Sequence, residues 1–176
     1  MALLKLKTPT YELHELNFIK DNYDNFITDC FETKKRFDGN FPNQSSTWTF
    51  SKYNIFNLSM GLEHFYKLYC EIKNIARNYL KTDEPLWMQS WLNFHNMDEV
   101  LDWHDHRCCI AHGYVSINPH NTKTVFDNFE VNNEVGKLYI GKPYMKHKVV
   151  IEKEFDSPRI TIAFDISNIN NYENSD

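Results

Sequence analysis

The spacing of apolar residues changes near residue 86 of this 176-residue chain, from a helical repeat to short alternating runs. Residues 17–37 and 59–80 each carry an apolar stripe at intervals of three and four, which is typical of helices that bury one face. After residue 86 the chain consists of short β-favouring runs between turn residues. This order predicts two helices, followed by a β-sandwich or open barrel that packs against them.

The β-favouring runs predict six strands. They cover residues 86–94, 108–117, 122–126, 137–140, 146–151 and 159–166. The last run alternates most regularly, and its apolar side chains share one face because strand residues point alternately to opposite sides. These apolar residues are Ile160, Ile162, Phe164 and Ile166. Ser59 is a candidate N-cap of the second helix, since a hydroxyl can accept a hydrogen bond from a free backbone N–H.

Length and composition indicate one globular domain in a cytoplasm. A chain of 176 residues has the usual size of a single domain. Its net charge of −5 argues against a nucleic-acid partner, because such binding depends on Lys and Arg. Its four cysteines include no CxxC pair, as expected for reduced thiols in a cytosol. No apolar run approaches the roughly 20 residues that span a bilayer, so we expect no membrane partner.

Three of the eight histidines have a spacing that suits a metal site. His104 and His106 are two residues apart, so on a strand their side chains would share one face. His147 on a later strand can complete a set of three ligands, and Arg159 follows twelve residues further on. Imidazole suits iron, zinc and copper, and three ligands on one face leave positions open for other groups. The pattern therefore indicates a three-ligand metal site with an arginine able to hold an acidic co-substrate.

The other five histidines are interpreted one by one. His14 and His64 lie on or near predicted helices and His120 lies in a turn, so we expect surface or structural side chains. His95 ends the strand before the histidine pair and is a candidate for supporting the ligands. His112 faces either the pocket or the solvent.

Six short motifs occur in a fixed order over residues 86–167. They are Trp91-Leu92-Asn93, His104-Asp105-His106, Gly113-Tyr114-Val115, Gly136-Lys137-Leu138-Tyr139-Ile140, His147 and Arg159-Ile160-Thr161. In this order the region resembles the catalytic core of the iron(II)- and 2-oxoglutarate-dependent oxygenases. The resemblance is strongest to the prolyl-hydroxylase-like branch of bacteria and large phages. The combination of six motifs is far more specific than any one of them.

The resemblance implies a fold and a division of the chain. It implies a mainly β protein with N-terminal helices, in which a double-stranded β-helix (a jelly-roll or cupin-like core) packs on support helices. Residues 1–85 would form the helical support region, residues 86–167 the catalytic core, and residues 168–176 a frayed tail. The whole chain would be a single domain.

The resemblance also implies an activity and its cofactors. Fe(II) would be held by His104, His106 and His147, which would be the catalytic residues. Arg159 would bind the distal carboxylate of 2-oxoglutarate, because its planar fork matches a carboxylate. Thr161, Tyr114 and Asn93 would complete the co-substrate site. The implied reaction is hydroxylation of a peptide, a nucleobase or a small molecule.

One position departs from the family pattern, because His106 stands where an aspartate is usual. Three outcomes are open. The ligand is His106 itself, or Asp105 turned to the metal by a β-bulge, or Asp102 with His104 as its partner. We favour His106, since regular alternation then needs no distortion.

Two other functions compete with this hypothesis. One is a three-histidine dioxygenase or hydrolase that does not use 2-oxoglutarate. The other is a catalytically inactive jelly-roll binding protein. The family branch and an Asn-, Lys- and Ile-rich composition favour a phage gene expressed in a host cytosol. A homodimer stays open as a further partner.

Substrate specificity is expected in three loops around the mouth of the barrel. These are residues 37–49, 95–103 and 118–133. Their aromatic side chains could hold a substrate, and they are Phe41, Trp48, Trp103, Phe126 and Phe129.

Overall fold

A computed structural model describes residues 9–38, 54–99 and 101–169. The helices are α1 (Asn17–Asp21), α2 (Tyr23–Asp38) and α3 (Glu63–Leu80), with a 3-10 turn at Ile55–Asn57. The strands are β1 (Tyr11–Glu15), β2 (Trp87–His95), β3 (Ala111–Asn118), β4 (Thr122–Phe126), β5 (Glu130–Asn132), β6 (Lys137–Gly141), β7 (His147–Ile151) and β8 (Arg159–Ser167). Within the described residues, no helix is long and apolar enough to cross a membrane.

The strands form two antiparallel sheets. The larger sheet has five strands in the order β1-β6-β3-β8-β2, and the smaller has three in the order β5-β4-β7. Neighbours in the larger sheet are far apart in sequence, because β8 lies between β2 and β3. The mainly β, two-sheet core is consistent with the predicted jelly roll.

One face of the larger sheet packs on the helices. The even-numbered residues of β8 lie in this layer, as their alternation predicts, and Ile160, Ile162, Phe164 and Ile166 are each at most 1% exposed. They belong to the same apolar cluster as the inner residues of α2 and α3. Burying this layer removes apolar surface from water, which is the main driving force for folding.

The opposite face of the larger sheet meets the smaller sheet through aromatic side chains. Tyr114 and Tyr139 of the larger sheet pack with Phe126 and Val131 of the smaller one. The Phe126 ring centroid lies 4.6 Å from that of Tyr139 and 5.3 Å from that of His147. Aromatic side chains therefore pack between the two sheets beside His147, the first residue of β7.

Both predicted helices have different limits in the structure. The first is two helices, because the chain breaks at Asn22, whose side-chain amide donates to the Phe18 carbonyl at 2.8 Å. The second begins at Glu63, so Ser59 as its N-cap is wrong. The Ser59 hydroxyl instead bonds the Ile55 carbonyl at 3.1 Å and stabilises the preceding 3-10 turn.

Two strands escaped the sequence prediction. β1 pairs with β6 from Tyr11↔Gly141 to Glu15↔Lys137, so the predicted helical support region also supplies an edge strand. β5 has only three residues and pairs with β4. Both are short segments whose placement depends on a distant partner. Most of the predicted tail, residues 170–176, and the predicted break at 39–43 lie outside the described residues.

Gly113 on β3 should be sensitive to a single added methyl group. A Cβ at this position would overlap the backbone oxygen of Tyr139 and the ring of Phe164. We expect Gly113→Ala to lower the free energy of unfolding by about 3 kcal/mol through overpacking. Urea denaturation will measure this. Gly61→Ala, which meets no neighbouring atom, should cost only the strain of its positive φ, about 1 kcal/mol. Equal losses at the two positions would contradict the packing explanation.

Candidate metal centre

Three histidines form a cluster that could hold a metal ion. Their candidate ligand atoms all lie within 4.8 Å of one another, and the residues are His104, His106 and His147. His147 opens β7, whereas His104 and His106 lie in the segment between β2 and β3. The prediction that this pair lies on a strand is wrong, but an isolated antiparallel bridge joins His104 to His147 through two N–H···O bonds of 3.0 Å. His106 is tied down separately, since its N–H donates to the Pro143 carbonyl at 2.9 Å.

The Nδ1 atoms of all three rings are engaged from outside the cluster. In His104, Nδ1 lies 2.7 Å from the Asp102 carbonyl, and in His147 it lies 3.0 Å from the Met145 carbonyl. In His106, Nδ1 lies 2.9 Å from Oδ1 of Asp165. Carbonyl oxygens can only accept hydrogen bonds, so in neutral His104 and His147 the hydrogen is on Nδ1 and the lone pair is on Nε2. The Asp165 carboxylate lies close to Nδ1 of His106 and favours the same arrangement there, although the two groups are not aligned as a hydrogen bond. With Nδ1 facing outward in each ring, the three Nε2 atoms are available to bind a metal.

Burial favours the uncharged form of His104 and His147, which is the form that binds a metal. Burial, followed by the neighbouring His104, lowers the pKa of His147 to about 3. Burial also lowers the pKa of His104, against the opposing effect of its bond to the Asp102 backbone.

The two alternative carboxylate ligands lie elsewhere. Asp105 pairs with Arg107 at 2.9 Å. Asp102 is exposed and accepts the Trp103 N–H at 2.8 Å. Among the described residues, neither aspartate joins the histidine cluster.

His112 is a fourth histidine beside the cluster, and it faces the pocket rather than the solvent. Its ring centroid lies 4.6 Å from that of His106 and 5.1 Å from that of His147. Its Nε2 is buried without a hydrogen-bond partner. Burial first, and then the neighbouring histidines, lower the pKa of His112 well below its ordinary value. A neutral imidazole edge is thus available next to the candidate metal position.

An arginine without an acidic partner lies at the other end of the same cleft. Arg159 is 4% exposed, its Nε has no hydrogen-bond partner, and burial lowers its pKa to about 10. Among the described residues, no carboxylate lies within ion-pair distance of it. Leaving a buried charge unpaired is costly, which indicates a place for an anionic ligand.

Polar side chains line the same cleft as Arg159. Asn93 donates from Nδ2 to Oγ1 of Thr161 at 3.3 Å, and these two residues are cross-strand partners. The Tyr114 hydroxyl is buried without a well-aligned hydrogen bond, and burial raises its pKa to about 12. Thr124 of β4 lies beside it. The structure thus brings Asn93, Tyr114, Arg159 and Thr161 into one wall.

Two cavities meet at the histidines. A narrow cleft of about 50 Å³ contains the three histidines, His112 and the Arg159 wall. A wider cavity of about 340 Å³ opens on the other side, and its lining includes Trp91, Leu101 and Cys108. Trp91, Asn93, Leu101, His104 and His106 line both. The candidate metal position therefore lies between the cleft that contains Arg159 and a larger cavity.

The remaining histidines have other roles. His14 pairs with Glu12 at 3.1 Å and His64 with Asp29 at 3.3 Å. His120 stacks on Phe155 with 4.4 Å between ring centroids. His95 lines the wider cavity, where burial and then Arg159 lower its pKa to about 4. Among the described residues, the cluster that could hold a metal does not include His95.

The structure describes only part of the predicted substrate loops. Phe41 and Trp48 lie outside the described residues. Trp103 is 44% exposed, with the Lys148 ammonium 5.2 Å from its ring centroid. Phe126 and Phe129 stack on each other with 4.4 Å between ring centroids, so they belong to the packing around the smaller sheet.

Sequence reasoning missed Asp165 as part of the site. The signal was present in β8, because the alternation that puts the isoleucines on one face puts Arg159, Thr161 and Asp165 on the other. A buried strand carrying a charged residue on its second face is a functional signal. Thr124 was missed because it comes from the opposite sheet, and no local pattern marks it.

The fold is shared with several solved enzymes. The carbocyclase SnoK from nogalamycin biosynthesis, a non-haem α-ketoglutarate-dependent enzyme, matches with a TM-score of 0.66 at 10% identity, over 92% of this chain and 80% of that one. HygX from Streptomyces hygroscopicus, solved with nickel and 2-oxoglutarate bound, matches with 0.63 at 12% identity, over 92% and 84%. A Pseudomonas putida prolyl-4-hydroxylase matches with 0.59 at 10% identity, over 92% and 94%. No protein-family model and no curated protein matches the sequence.

Replacing one cluster histidine should remove metal binding. We expect His147→Ala to weaken cobalt(II) binding by more than about 100-fold, since even groups behind a ligand contribute 10- to 100-fold. Calorimetric titration with cobalt(II) will measure the affinity. His120→Ala, which changes a histidine outside the cluster, should bind cobalt(II) like the unaltered chain. Comparable binding by both variants would refute the assignment.

The metal-free protein should lose stability as the pH falls. The pKa of His147 is about 3 in the folded chain and near 6.5 when unfolded, so between these values the unfolded state binds one more proton. Stability therefore rises with pH by about 1.4 kcal/mol per unit for this histidine. In EDTA, urea unfolding from pH 6 to 4 should show a slope that His147→Gln reduces by about this amount. An unchanged slope in this variant would contradict the burial argument.

Proposed function

We propose that this protein is an iron(II)- and 2-oxoglutarate-dependent oxygenase that hydroxylates its substrate. The observation that carries the proposal is a buried arginine without an acidic partner in the same cleft as a three-histidine cluster. Fe(II) at the cluster, with O2 and 2-oxoglutarate, supplies the oxidising chemistry, while the protein orients the reactants. The shared fold is compatible with this activity.

The metal would be held by Nε2 of His104, His106 and His147. Nδ1 of His104 and of His147 bonds a backbone carbonyl, and Nδ1 of His106 lies beside the Asp165 carboxylate, so each ring can turn Nε2 to the metal. Three ligands from one side leave positions open for a co-substrate and a small molecule such as O2. The donor set therefore suits Fe(II).

The co-substrate would lie between the cluster and Arg159. Arg159 matches a carboxylate through two parallel N–H···O bonds. The hydroxyls of Tyr114 and Thr161 are positioned to add further bonds at this end. His112, with a buried unpartnered Nε2, would face the end nearest the metal. A five-carbon diacid with a charge at each end suits such a cleft.

The wider cavity would hold the substrate. Its volume of about 340 Å³ is at the lower end of the range for small-molecule sites. That size suits an amino-acid side chain, a nucleobase or a small metabolite. Trp91 and Leu101 offer apolar surface, while Arg107 and Asp105 add a charged pair. Intact-mass screening of peptides and metabolites for a gain of about 16 Da, the mass of one oxygen atom, is the direct search for it.

The finer parts of the proposal concern the branch and the source. The order of the six motifs supports the prolyl-hydroxylase-like branch. The same resemblance and the Asn-, Lys- and Ile-rich composition support a phage gene whose product acts in a host cytoplasm. Whether the enzyme works as a homodimer is a matter for size measurement in solution.

A three-histidine dioxygenase that does not use 2-oxoglutarate is the second candidate. Three histidines in the cluster, without a carboxylate ligand, favour it. It predicts oxygen consumption that does not depend on 2-oxoglutarate. An inactive binding protein would retain no metal after purification with added iron. Oxygen uptake and metal content therefore separate the three possibilities.

Turnover of the co-substrate tests the main proposal. With Fe(II), ascorbate and O2, the protein should convert 2-oxoglutarate to succinate slowly even without substrate. Succinate will be measured by mass spectrometry, with His147→Ala as the inactive reference. No succinate, together with no thermal shift from iron and 2-oxoglutarate, would overturn the proposal.

Arg159→Ala should separate co-substrate binding from metal binding. Losing one partner of a buried charge pair costs about 2 kcal/mol or more, roughly 30-fold in 2-oxoglutarate affinity. Cobalt(II) affinity should stay unchanged. Calorimetry on the cobalt-loaded protein will measure both. Arg107→Ala is the matched control, because this arginine is 73% exposed and bonded to Asp105. Equal effects of the two substitutions would argue against a specific role for Arg159.

A further inference from the structure

Asp165 is a buried carboxylate directly behind one histidine of the cluster. It is 4% exposed, and its Oδ1 lies 2.9 Å from Nδ1 of His106. Its cross-strand partners are Gln89 on β2 and His112 on β3. In the part of the chain that the structure describes, no lysine or arginine lies within ion-pair distance of Asp165. A buried carboxylate is costly without a cationic partner, so this position needs an explanation.

The surroundings of Asp165 are short of positive charge. Its Oδ1 has no well-aligned hydrogen-bond donor, although His106 Nδ1 is close. The Cys109 thiol also lies beside it, and burial together with this carboxylate raises the pKa of that thiol. Neither neighbour is a permanent cation. A divalent metal on the far side of the His106 ring would supply the missing charge.

We infer that Asp165 supplies the negative charge of this metal centre from behind His106, without binding the metal directly. This inference rests on the proposed function only in placing a metal at the three histidines. Three neutral ligands leave the full 2+ charge of the ion, whereas a carboxylate ligand would reduce it to 1+. Asp165 would lower the net charge of the site in the same way, through the His106 ring that lies between it and the metal.

Asp165 would act as a positioning residue through His106. A carboxylate facing Nδ1 holds the hydrogen there, which directs the Nε2 lone pair to the metal and makes the ring a stronger donor. Removing such a carboxylate usually weakens metal binding by 10- to 100-fold. The aspartate on β8 would then compensate for the histidine at position 106, where the family pattern has an aspartate.

A purely structural role makes a different prediction. If Asp165 only stabilised the packing of β8 against β2 and β3, its replacement would affect folding whatever residue stood at 106. If it acts through His106, its effect on the metal must depend on that histidine. A carboxylate at 106 would bind the metal itself, and Asp165 would then face a like charge.

The test is a double-mutant cycle read by cobalt(II) affinity and by the visible spectrum of bound cobalt. Asp165→Asn should weaken cobalt(II) binding by about 10- to 100-fold in the unaltered chain. In a His106→Asp background the same replacement should have no effect or tighten binding. Melting temperatures in EDTA will show whether each variant folds. Asp29→Asn, which removes a carboxylate that faces a histidine outside the cluster, should leave the affinity unchanged.

The outcomes separate this inference from the proposed function. If the unaltered chain binds cobalt(II) but Asp165→Asn binds equally well, Asp165 has no role at the metal and the inference is overturned. An equal loss in both backgrounds also overturns it, because the effect then does not pass through His106. If the unaltered chain binds no cobalt(II), the metal site fails, and the role of Asp165 fails with it.

Discussion

The site depends on one strand that is buried on both faces. β8 pairs with β2 along nine residues and with β3 on its other edge, so its backbone is held at the centre of the larger sheet. Its even-numbered residues bury apolar surface against the helices, and its odd-numbered residues face the smaller sheet. A slip of one residue would exchange Ile162 for Thr161 in the apolar layer, which the packing energy forbids. The same register therefore places Arg159, Thr161 and Asp165 at the site.

The smaller sheet closes the site from the opposite side. His147 opens β7 and pairs with the His104 backbone through two hydrogen bonds, while the His106 N–H donates separately to the Pro143 carbonyl. Phe126 and Tyr139 form the aromatic packing below. Main-chain hydrogen bonds therefore fix the positions of all three histidines. A preorganised set of donors binds its ligand with less loss of entropy.

The charges in this space are arranged in an unusual balance. Among the described residues, Arg159 is a buried cation without an acidic partner, and Asp165 is a buried carboxyl group without a lysine or arginine partner. Both lie on the same face of β8, with histidines close to Asp165. An anionic ligand would balance the charge of Arg159, and a divalent metal would balance the charge of Asp165. This balance connects the proposed co-substrate with the inferred role of Asp165.

Local sequence predicted most of the helices and strands, and the tertiary structure decided the chemistry of the site. The spacing of apolar residues predicted the α3 region and the two faces of β8, because burial acts on every residue of a regular element, and a short β-favouring run predicted the limits of β4. The order of the motifs brought His104, His106, His147 and Arg159 together as a hypothesis. Only the fold showed that His112 turns inward, that Asp105 turns to Arg107 and that Asp165 stands behind His106. These contacts join residues on different strands or in an irregular loop, so no period in the sequence records them.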